Sequence, residues 1–225
     1  GVLHPVPLFS YGKDYLEHRK NLEFNIDEHR ILKKFCSRIG IKYACSVWDL
    51  KSANEIISLN TDYIKIPSSC NENYKLIDYI FNYYKKPFHI SCGMLDKVSK
   101  QKLYDFVTNK NVVLYHCTSE YPCKFENLCL LEILSMKNNF KDIGFSNHGY
   151  GIASDIAAMM LGVKWIERHF VDDRSLRHTD AAASLEPDGL KKLCRDLKNV
   201  YSSVNFKESI SDVEKIEIKK MKIYK

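Results

Sequence analysis

The sequence predicts an α/β protein built on a parallel β-sheet, and two features of the chain support this fold class. Six short runs of apolar and β-branched residues recur along the 225 residues, each of a length that suits a buried strand. Segments with the apolar periodicity of helices lie between them. Strands that alternate with helices in this way form a parallel sheet, which is either open and doubly wound or closed into a barrel.

The predicted strands and helices follow one another in strict alternation. The strands are IKYACS at 41–46, DYIKIPS at 62–68, PFHISCG at 87–93, VVLYHCTS at 112–119, DIGFSNH at 142–148 and VKWIERHF at 163–170. The helices between them are DLKSANEIISL at 49–59, NYKLIDYIFNYY at 73–84, KVSKQKLYDFVTN at 97–109, ENLCLLEILSMKN at 126–138 and IASDIAAMMLG at 152–162. Asp49 is the expected N-cap of the first helix. A last helix begins near Glu186, with Ser184 as its expected N-cap and Pro187 in its first turn.

Composition narrows the class of protein. No Pro/Gly/Ser-rich linker divides the chain, so we expect a single domain over residues 1–225. The net charge of +6 is mild and its lysines are dispersed, which argues against nucleic-acid binding. The eight cysteines occur singly, without a CxxC pair, as expected of reduced thiols. Neither a signal peptide nor a membrane-spanning segment is evident, so we expect a soluble cytoplasmic protein.

Polar residues end most of the predicted strands. They are Ser46, Lys65 and Ser68, 91–93, 116–119, 146–148 and His169. In barrels and in open α/β sheets, this carboxyl edge carries the active site. Turns are polar in any protein, but a lysine, two histidines and several hydroxyls at one edge favour a site. Neither GxGxxG nor a Walker sequence follows any strand, so a nucleotide cradle is not predicted.

His148 and His169 end consecutive strands, which are neighbours if the connection is an ordinary right-handed crossover. Two imidazoles at adjacent strand ends can reach one divalent ion and leave positions open for water or substrate. Taken singly, either histidine is more often structural than a ligand. Glu167 lies on the same strand face as His169 and could orient or neutralise the site.

Lys65 stands between two isoleucines in a predicted strand, where a charge is costly unless it has a partner. It can clamp an anion, with nearby serine hydroxyls as hydrogen-bond donors to phosphate oxygens, or it can simply reach solvent from the strand end. Strand cysteines such as Cys117 are expected to be small apolar residues.

Six motifs together resemble the sialic acid synthases, the family of N-acetylneuraminate synthase and its nonulosonic acid relatives. They are IKIPSS, HISCGM, YHCTSEYP, GFSNHGYGI, WIERHF and TDAAASLEPDGL, and the similarity extends over residues 20–204. The resemblance implies a TIM-type (β/α)8 barrel that condenses phosphoenolpyruvate with an N-acylated hexosamine. It also implies a divalent ion, manganese foremost with magnesium or cobalt as alternatives, and a homodimer.

Carried over residue by residue, the resemblance makes His148 and His169 the metal ligands. It makes Lys65 and five hydroxyl residues contacts to phosphoenolpyruvate: Ser46, Ser68, Ser91, Thr118 and Ser146. Asp180 corresponds to an aspartate that faces the sugar. In the implied reaction the enol carbon of phosphoenolpyruvate attacks the sugar aldehyde, water adds, and phosphate leaves.

Two departures from the family pattern stand out. Six of eight β/α units are recognised, because the first two strands, with a glutamate and a phosphate-binding lysine, have no counterpart before Asn21, and the C-terminal antifreeze-like domain is also missing. We therefore expect an incomplete barrel. A fragment of a longer product is the simplest explanation, and strands supplied by another chain or a degenerate barrel are the others. Cys70 replaces a carboxylate of the family motif, so Glu72 substitutes for it, the substrate differs, or activity is lost. A different metal-dependent aldolase or hydrolase and a non-catalytic barrel are the alternatives.

Overall fold

All six predicted strands form in the computed structural model, which describes residues 1–4, 7–176 and 179–223. They are β1 (Ala44–Ser46), β2 (Tyr63–Ile66), β3 (Phe88–Ser91), β4 (Val112–Cys117), β5 (Ile143–Asn147) and β6 (Trp165–Arg168). Every neighbouring pair is parallel, and the order in the sheet is the order in the sequence, from β1 to β6.

This strand order separates the two architectures that the sequence left open. A doubly wound sheet reverses its order at a switch point, whereas here the chain always steps to the next position in one direction. The sheet also curls strongly. The rings of Tyr63 on β2 and Trp165 on β6 lie 5.8 Å apart, although four flat strand spacings would separate those strands by about 19 Å. The six units thus form an arc of the barrel type.

In the described part of the chain a helix follows each strand, as the sequence predicts, and three further helices, two before β1 and one near the C-terminal end, are not among the predicted ones. They are α1 (Tyr15–Leu22), α2 (Ile26–Arg38), α3 (Leu50–Leu59), α4 (Tyr74–Tyr83), α5 (Lys97–Val107), α6 (Glu132–Lys137), α7 (Ala153–Leu161), α8 (Pro187–Ser203) and α9 (Asp212–Met221). The side chain of Asp49 caps α3 by accepting from the backbone amide of Ser52, as predicted. α6 is shorter than expected, because its predicted first half is a turn and a 3-10 helix (Phe125–Asn127).

The N-cap predicted for α8 is wrong by two residues. Glu186 is the N-cap and Pro187 begins the helix, where its missing N–H costs nothing. Ser184 instead ends a 3-10 helix (Ala181–Ala183), and its hydroxyl donates to the carbonyl of Asp180 at 2.8 Å. The serine therefore stabilises the turn that precedes the helix.

The core lies between the outer face of the sheet and the helices. Alternate strand residues such as Ile64, Ile90, Leu114 and Phe145 are fully buried there. The inner face carries a second layer of larger polar and aromatic side chains. His89 stacks on Tyr63 with ring centroids 4.2 Å apart and meets the edge of Trp165 at 4.7 Å. This layer closes the base of the arc and leaves its carboxyl end open.

Within the described ranges, no helix combines the length and the apolar character that crossing a membrane requires. All eight cysteines fall inside those ranges and are free thiols.

Candidate active site

A cavity of about 570 Å³ opens at the carboxyl ends of the strands. Eight of the nine predicted site residues line it: Ser46, Lys65, Ser68, Ser91, Ser146, His148, His169 and Asp180. These residues come from five strands and the segments that follow them, over more than 130 positions of sequence. The curl of the sheet brings them together, because the carboxyl ends of all its strands converge on one mouth.

The two histidines lie side by side at this mouth. Their ring centroids are 5.1 Å apart with an interplanar angle of 81°. Nδ1 of His148 contacts the carbonyl oxygen of Thr118 at 2.8 Å, which makes that nitrogen the donor and leaves Nε2 as a free acceptor. Tyr121 packs on both rings, at 4.2 Å from His148 and 5.5 Å from His169. The orientation of His148 is therefore fixed by backbone and aromatic contacts.

His169 faces the carboxylate of Asp180. Its Nδ1 lies 3.5 Å from Asp180 Oδ2. Burial lowers the pKa of His169, and the carboxylates of Asp180 and Glu167 work in the opposite direction. A neutral imidazole with a carboxylate at one nitrogen is the arrangement that presents the other nitrogen to a metal.

The donor set fits a divalent cation held chiefly by His148 and His169. Both rings line one cavity, and each has one nitrogen engaged by an oxygen, so the second nitrogen can serve as a ligand. Among the described residues, no group of three or more His, Cys, Asp and Glu side chains is arranged to hold a metal. Two protein ligands leave several positions for water or substrate, as in an open catalytic site.

Lys65 is held inside the cavity by a carboxylate from the far side of the arc. Its Nζ lies 2.7 Å from Glu167 Oε1, and Ser146 Oγ donates to the same oxygen at 2.8 Å. Lys65 and Ser146 thus share one acceptor. Glu167, for which the sequence predicts a role in orienting or neutralising the site, neutralises Lys65 directly. The ammonium group stays among the cavity residues instead of extending to solvent.

Two serines lie on the floor of the cavity. Ser68 Oγ accepts from the backbone amide of Gly93 at 3.2 Å. The hydroxyl of Ser91 is buried and has no hydrogen-bond partner among the described residues. A buried hydroxyl without a partner costs free energy, so its presence in a cavity is an observation that points to a ligand. Gly93 packs closely here, since a Cβ on it would lie 2.7 Å from Ser68 Oγ.

Cys117 is a site residue that sequence reasoning missed, because a strand cysteine is ordinarily a small apolar residue. Its sulfur lies 3.9 Å from His148 Nδ1 and 3.6 Å from the Ser68 hydroxyl. Burial works to raise the pKa of Cys117, but hydrogen bonds from His148 and Ser68 outweigh it and lower the pKa. The position of Cys117 in its strand could have identified it, because it pairs with Ser146 in the β4–β5 register and lies on the same face of the sheet as that predicted site residue.

Three residues singled out in the sequence lie apart from the others. The hydroxyl of Thr118 donates to the carbonyl of Asn127 at 2.9 Å, so only its backbone serves the site, through His148. The sulfur of Cys70 lies 3.6 Å from the carbonyl of Trp48 and packs against the core. Glu72 is exposed. The carboxylate position of the motif is therefore turned away from the cavity in this chain.

Helix α1 adds residues that no sequence pattern assigned. Tyr15 and Arg19 line the cavity, with Trp48 beside them. The guanidinium of Arg19 lies 5.3 Å from the centroid of the Trp48 ring, within range of a cation–π contact. α1 thus closes one side of the mouth with a positive charge.

A match to a family model decides which family the chain belongs to. The model described as the NeuB family matches residues 9–209, nearly the whole chain. The chain belongs to the NeuB family. The resemblance read from the six motifs is thereby confirmed.

Curated relatives of this NeuB-family chain include several synthases. The N-acetylneuraminate-9-phosphate synthase of Homo sapiens is 35% identical over 197 residues, which are 85% of this chain and 54% of that protein. The N,N'-diacetyllegionaminic acid synthase of Campylobacter jejuni is 30% identical over 210 residues, 91% of this chain and 62% of that protein. The chain spans about half the length of the curated relatives it matches.

A solved structure supports the architecture. The N-acetylneuraminic acid (sialic acid) synthetase of Leptospira borgpetersenii superimposes with a TM-score of 0.80 at 23% identity, covering 95% of this chain and 76% of that one. At this identity the likeness establishes the fold, which is the curled parallel sheet described above.

Proposed function

We propose that this chain is the metal- and phosphoenolpyruvate-binding part of a nonulosonic acid synthase. The protein that carries it condenses phosphoenolpyruvate with an N-acylated hexosamine such as N-acetylmannosamine, forms a carbon–carbon bond and releases phosphate. Membership of the NeuB family and the named activities of its relatives support the reaction class. The acceptor sugar and the metal are the finer parts of the proposal.

One observation carries the proposal. One cavity is lined by two histidines, one lysine, four serines and one aspartate, all of which the sequence and its family resemblance predict as site residues. A chance set of strand-end residues would be scattered around the mouth and on the outer surface. The combination suits a trianionic substrate beside a cation, because hydroxyl and ammonium donors flank one side and imidazoles the other.

His148 and His169 would hold the divalent ion, with manganese first and magnesium or cobalt as alternatives. The ion supplies Lewis acidity toward the aldehyde oxygen of the open-chain sugar. Asp180 lies against His169 and lines the cavity, so it can orient that ring and accept a hydrogen bond from a sugar hydroxyl.

Lys65 and the serine hydroxyls hold the phosphoenolpyruvate anion. The unpartnered hydroxyl of Ser91 and the hydroxyl of Ser68 are donors on the cavity floor, and Ser46 and Ser146 stand on either side. Holding the enol rigidly beside the aldehyde lowers the entropic cost of a bimolecular step. The same donors stabilise the phosphate as it leaves and gains charge.

The complete catalytic unit is an eight-stranded barrel in this proposal. β1 and β6 are the two edges of the sheet, and two further β/α units between them would close the arc. The resemblance to the family implies that those units would bring a glutamate toward the sugar and a lysine toward the phosphate. The homodimer and the antifreeze-like domain remain predictions from the resemblance.

Phosphate release tests the function. The protein that carries this chain is incubated with phosphoenolpyruvate, Mn²⁺ and either N-acetylmannosamine or its 6-phosphate, and inorganic phosphate is measured. We expect release that depends on the sugar and is lost in His148→Ala/His169→Ala. Absence of release with every N-acylated hexosamine would overturn the synthase.

The alternatives give different results in the same assay. A metal-dependent hydrolase would release phosphate without the sugar. A non-catalytic barrel would bind phosphoenolpyruvate or metal with no release under any condition. The control is Lys100→Met, which breaks an ion pair with Glu132 at 2.7 Å on the outer helical layer and should leave release unchanged.

A further inference from the structure

The residues that precede the two histidines are neighbours in the sheet. Asn147 and Arg168 are register partners at the last rung of the β5–β6 ladder, so His148 and His169 lie just beyond the final backbone pairing. Backbone hydrogen bonds of the ladder therefore end before either imidazole. Beyond the ladder, single backbone bonds from other segments reach the two residues: the amide of Cys123 donates to the carbonyl of His148 at 2.9 Å, and the amide of Leu185 donates to that of His169 at 2.8 Å. A buried side-chain network beneath the two residues joins their strands to each other.

One buried carboxylate joins the two strand ends. Nδ2 of Asn147 donates to Asp155 Oδ1 at 2.9 Å, and Nη1 of Arg168 lies 3.4 Å from Asp155 Oδ2. Each oxygen of the carboxylate thus serves one strand. Asp155 lies in the first turn of α7, where the helix dipole favours a negative charge.

Further polar atoms of this cluster hold the residue that follows His148, while Nε of Arg168 is buried without a hydrogen-bond partner among the described residues. Oδ1 of Asn147 accepts from the amide of Gly149 at 2.8 Å, and Nη2 of Arg168 donates to the carbonyl of Gly149 at 2.9 Å. Arg168 also donates to the carbonyl of Ala183 at 3.2 Å. His148 is consequently flanked by two residues that are fixed by the same network.

Burial limits how far the residues of this network can move. Asn147 and Asp155 are fully buried, and the Arg168 side chain is 4% exposed. Buried polar and charged groups tolerate little displacement, because each lost hydrogen bond leaves an unpaired group away from water. Two ligands of one cation likewise must keep their separation within about 0.5 Å.

We propose that Asn147, Asp155 and Arg168 form a clamp that fixes His148 and His169 relative to each other for a shared divalent cation. This inference rests on the proposed function of the histidines. The three residues do not touch the cation or the substrate; they are positioning residues that act through the backbone on either side of each ligand.

Asp155→Asn is the decisive variant. It keeps the shape of the side chain but puts an NH₂ group against the donors of Asn147 or Arg168, so one half of the clamp must open. We expect the affinity for Mn²⁺, titrated by electron paramagnetic resonance of the free ion, to fall by at least about tenfold, the size usual for residues that orient metal ligands. Glu132→Gln, which breaks the Lys100 ion pair far from the site, is the matched control and should stay within about twofold.

A second variant tests the clamp independently if Asp155→Asn does not fold. Asn147→Ala keeps the Arg168–Asp155 pair and leaves no buried charge alone, and we expect a similar loss of Mn²⁺ affinity in a protein that remains folded by circular dichroism. A merely structural role would lower the melting temperature without moving the imidazoles. We therefore also compare the ¹⁵N resonances of His148 and His169 in the metal-free variants, where we expect shifts in Asp155→Asn and none in Glu132→Gln.

The results separate the clamp from the function on which it rests. Wild-type Mn²⁺ affinity together with unchanged histidine resonances in Asp155→Asn would overturn the clamp. Unchanged Mn²⁺ binding in His148→Ala/His169→Ala would overturn the shared cation instead. In that case the metal-free resonances alone decide whether the clamp positions the two rings.

Discussion

Lys65 and Glu167 form an ion pair across the mouth of the arc, with Nζ and Oε1 2.7 Å apart although the residues are 102 positions apart in sequence. Only 14% of the Lys65 side chain and 32% of the Glu167 side chain are exposed. In the proposed function, a phosphorylated substrate that enters the cavity would compete with Glu167 for the same ammonium group. The pair thus keeps Lys65 ready for an anion without leaving its charge unpaired.

Lys65→Met should weaken the binding of phosphoenolpyruvate. A charge-assisted hydrogen bond is worth about 1.5–3 kcal/mol, which corresponds to roughly a 10- to 100-fold higher dissociation constant. Isothermal titration calorimetry of the variant checks this. Lys100→Met is the matched control, because it removes a lysine from an ion pair of the same length outside the cavity. Equal affinity in the wild type and in Lys65→Met would contradict the anion-binding role.

Ser91→Ala should change stability and ligand binding in opposite directions. Its buried hydroxyl lacks a partner among the described residues, so removing it should leave the free energy of unfolding unchanged or raise it by up to about 1 kcal/mol. The same change should weaken phosphoenolpyruvate binding, because it removes a donor from the cavity floor. Denaturant titration and calorimetry measure the two effects. A destabilised variant that binds normally would show that the hydroxyl serves the fold.

His89 should make the protein sensitive to acid. Burial lowers the pKa of His89 to about 4, while Glu167 works to raise it and Lys65 to lower it. Between pH 6.5 and 4 the unfolded chain binds a proton at this histidine that the folded protein does not, so acidification favours unfolding. The free energy of unfolding should drop by about 2 kcal/mol from pH 7.5 to pH 5 on account of this group.

The contribution of His89 is isolated by difference. His89→Gln keeps a polar group within reach of the Tyr115 hydroxyl, which lies 2.8 Å from His89 Nδ1. Burial also lowers the pKa of His116, but that residue is common to both proteins. We expect denaturant titrations at the two pH values to give a shallower pH dependence in the variant. An identical pH dependence would mean that folding does not lower the pKa of His89.

Cys70→Ala should leave the affinities for Mn²⁺ and phosphoenolpyruvate within about twofold of wild type, because the thiol lies against the carbonyl of Trp48 and not in the cavity. The substitution should lower the free energy of unfolding by about 1 kcal/mol, because the packing of the thiol is lost. A large loss of affinity would show that the side chain of Cys70 contributes to the binding site. Glu72→Gln, at an exposed position, should change neither quantity.

The sequence predicted the elements because their signals are local. Apolar runs such as 112–117 are too short and too continuous for anything but buried strands, and Asp49 and Pro187 mark the starts of their helices. The prediction of Ser184 as the N-cap of α8 was wrong for a local reason too. Serine satisfies a turn as well as a helix end, and the adjacent proline moved the helix start two residues on.

The histidines, Lys65 and the serines were predictable because strand ends in a parallel α/β protein share one edge. Their partners were not. Arg19 lies in no motif, and Cys117 lies in YHCTSEYP without a role assigned to it, because a thiol in a strand and an arginine on a helix face are common in any fold. Only the curl of the sheet brings both to the cavity. Thr118 was predicted as a site residue through its motif. In the structure its hydroxyl donates to the carbonyl of Asn127, and only its backbone carbonyl contacts His148.

The amino-acid sequence was sufficient to predict the order of strands and helices, the sheet edge that carries the candidate site, and the family. Periodicity and motifs are properties of residues that are close together in the chain. Only the tertiary structure decided that the sheet is an arc and not an open doubly wound sheet, that Lys65 pairs with Glu167, and that Asp155 joins the strands of both histidines. Those contacts depend on the accumulated twist of six parallel strands, which brings β2 and β6 face to face and which no short stretch of residues encodes.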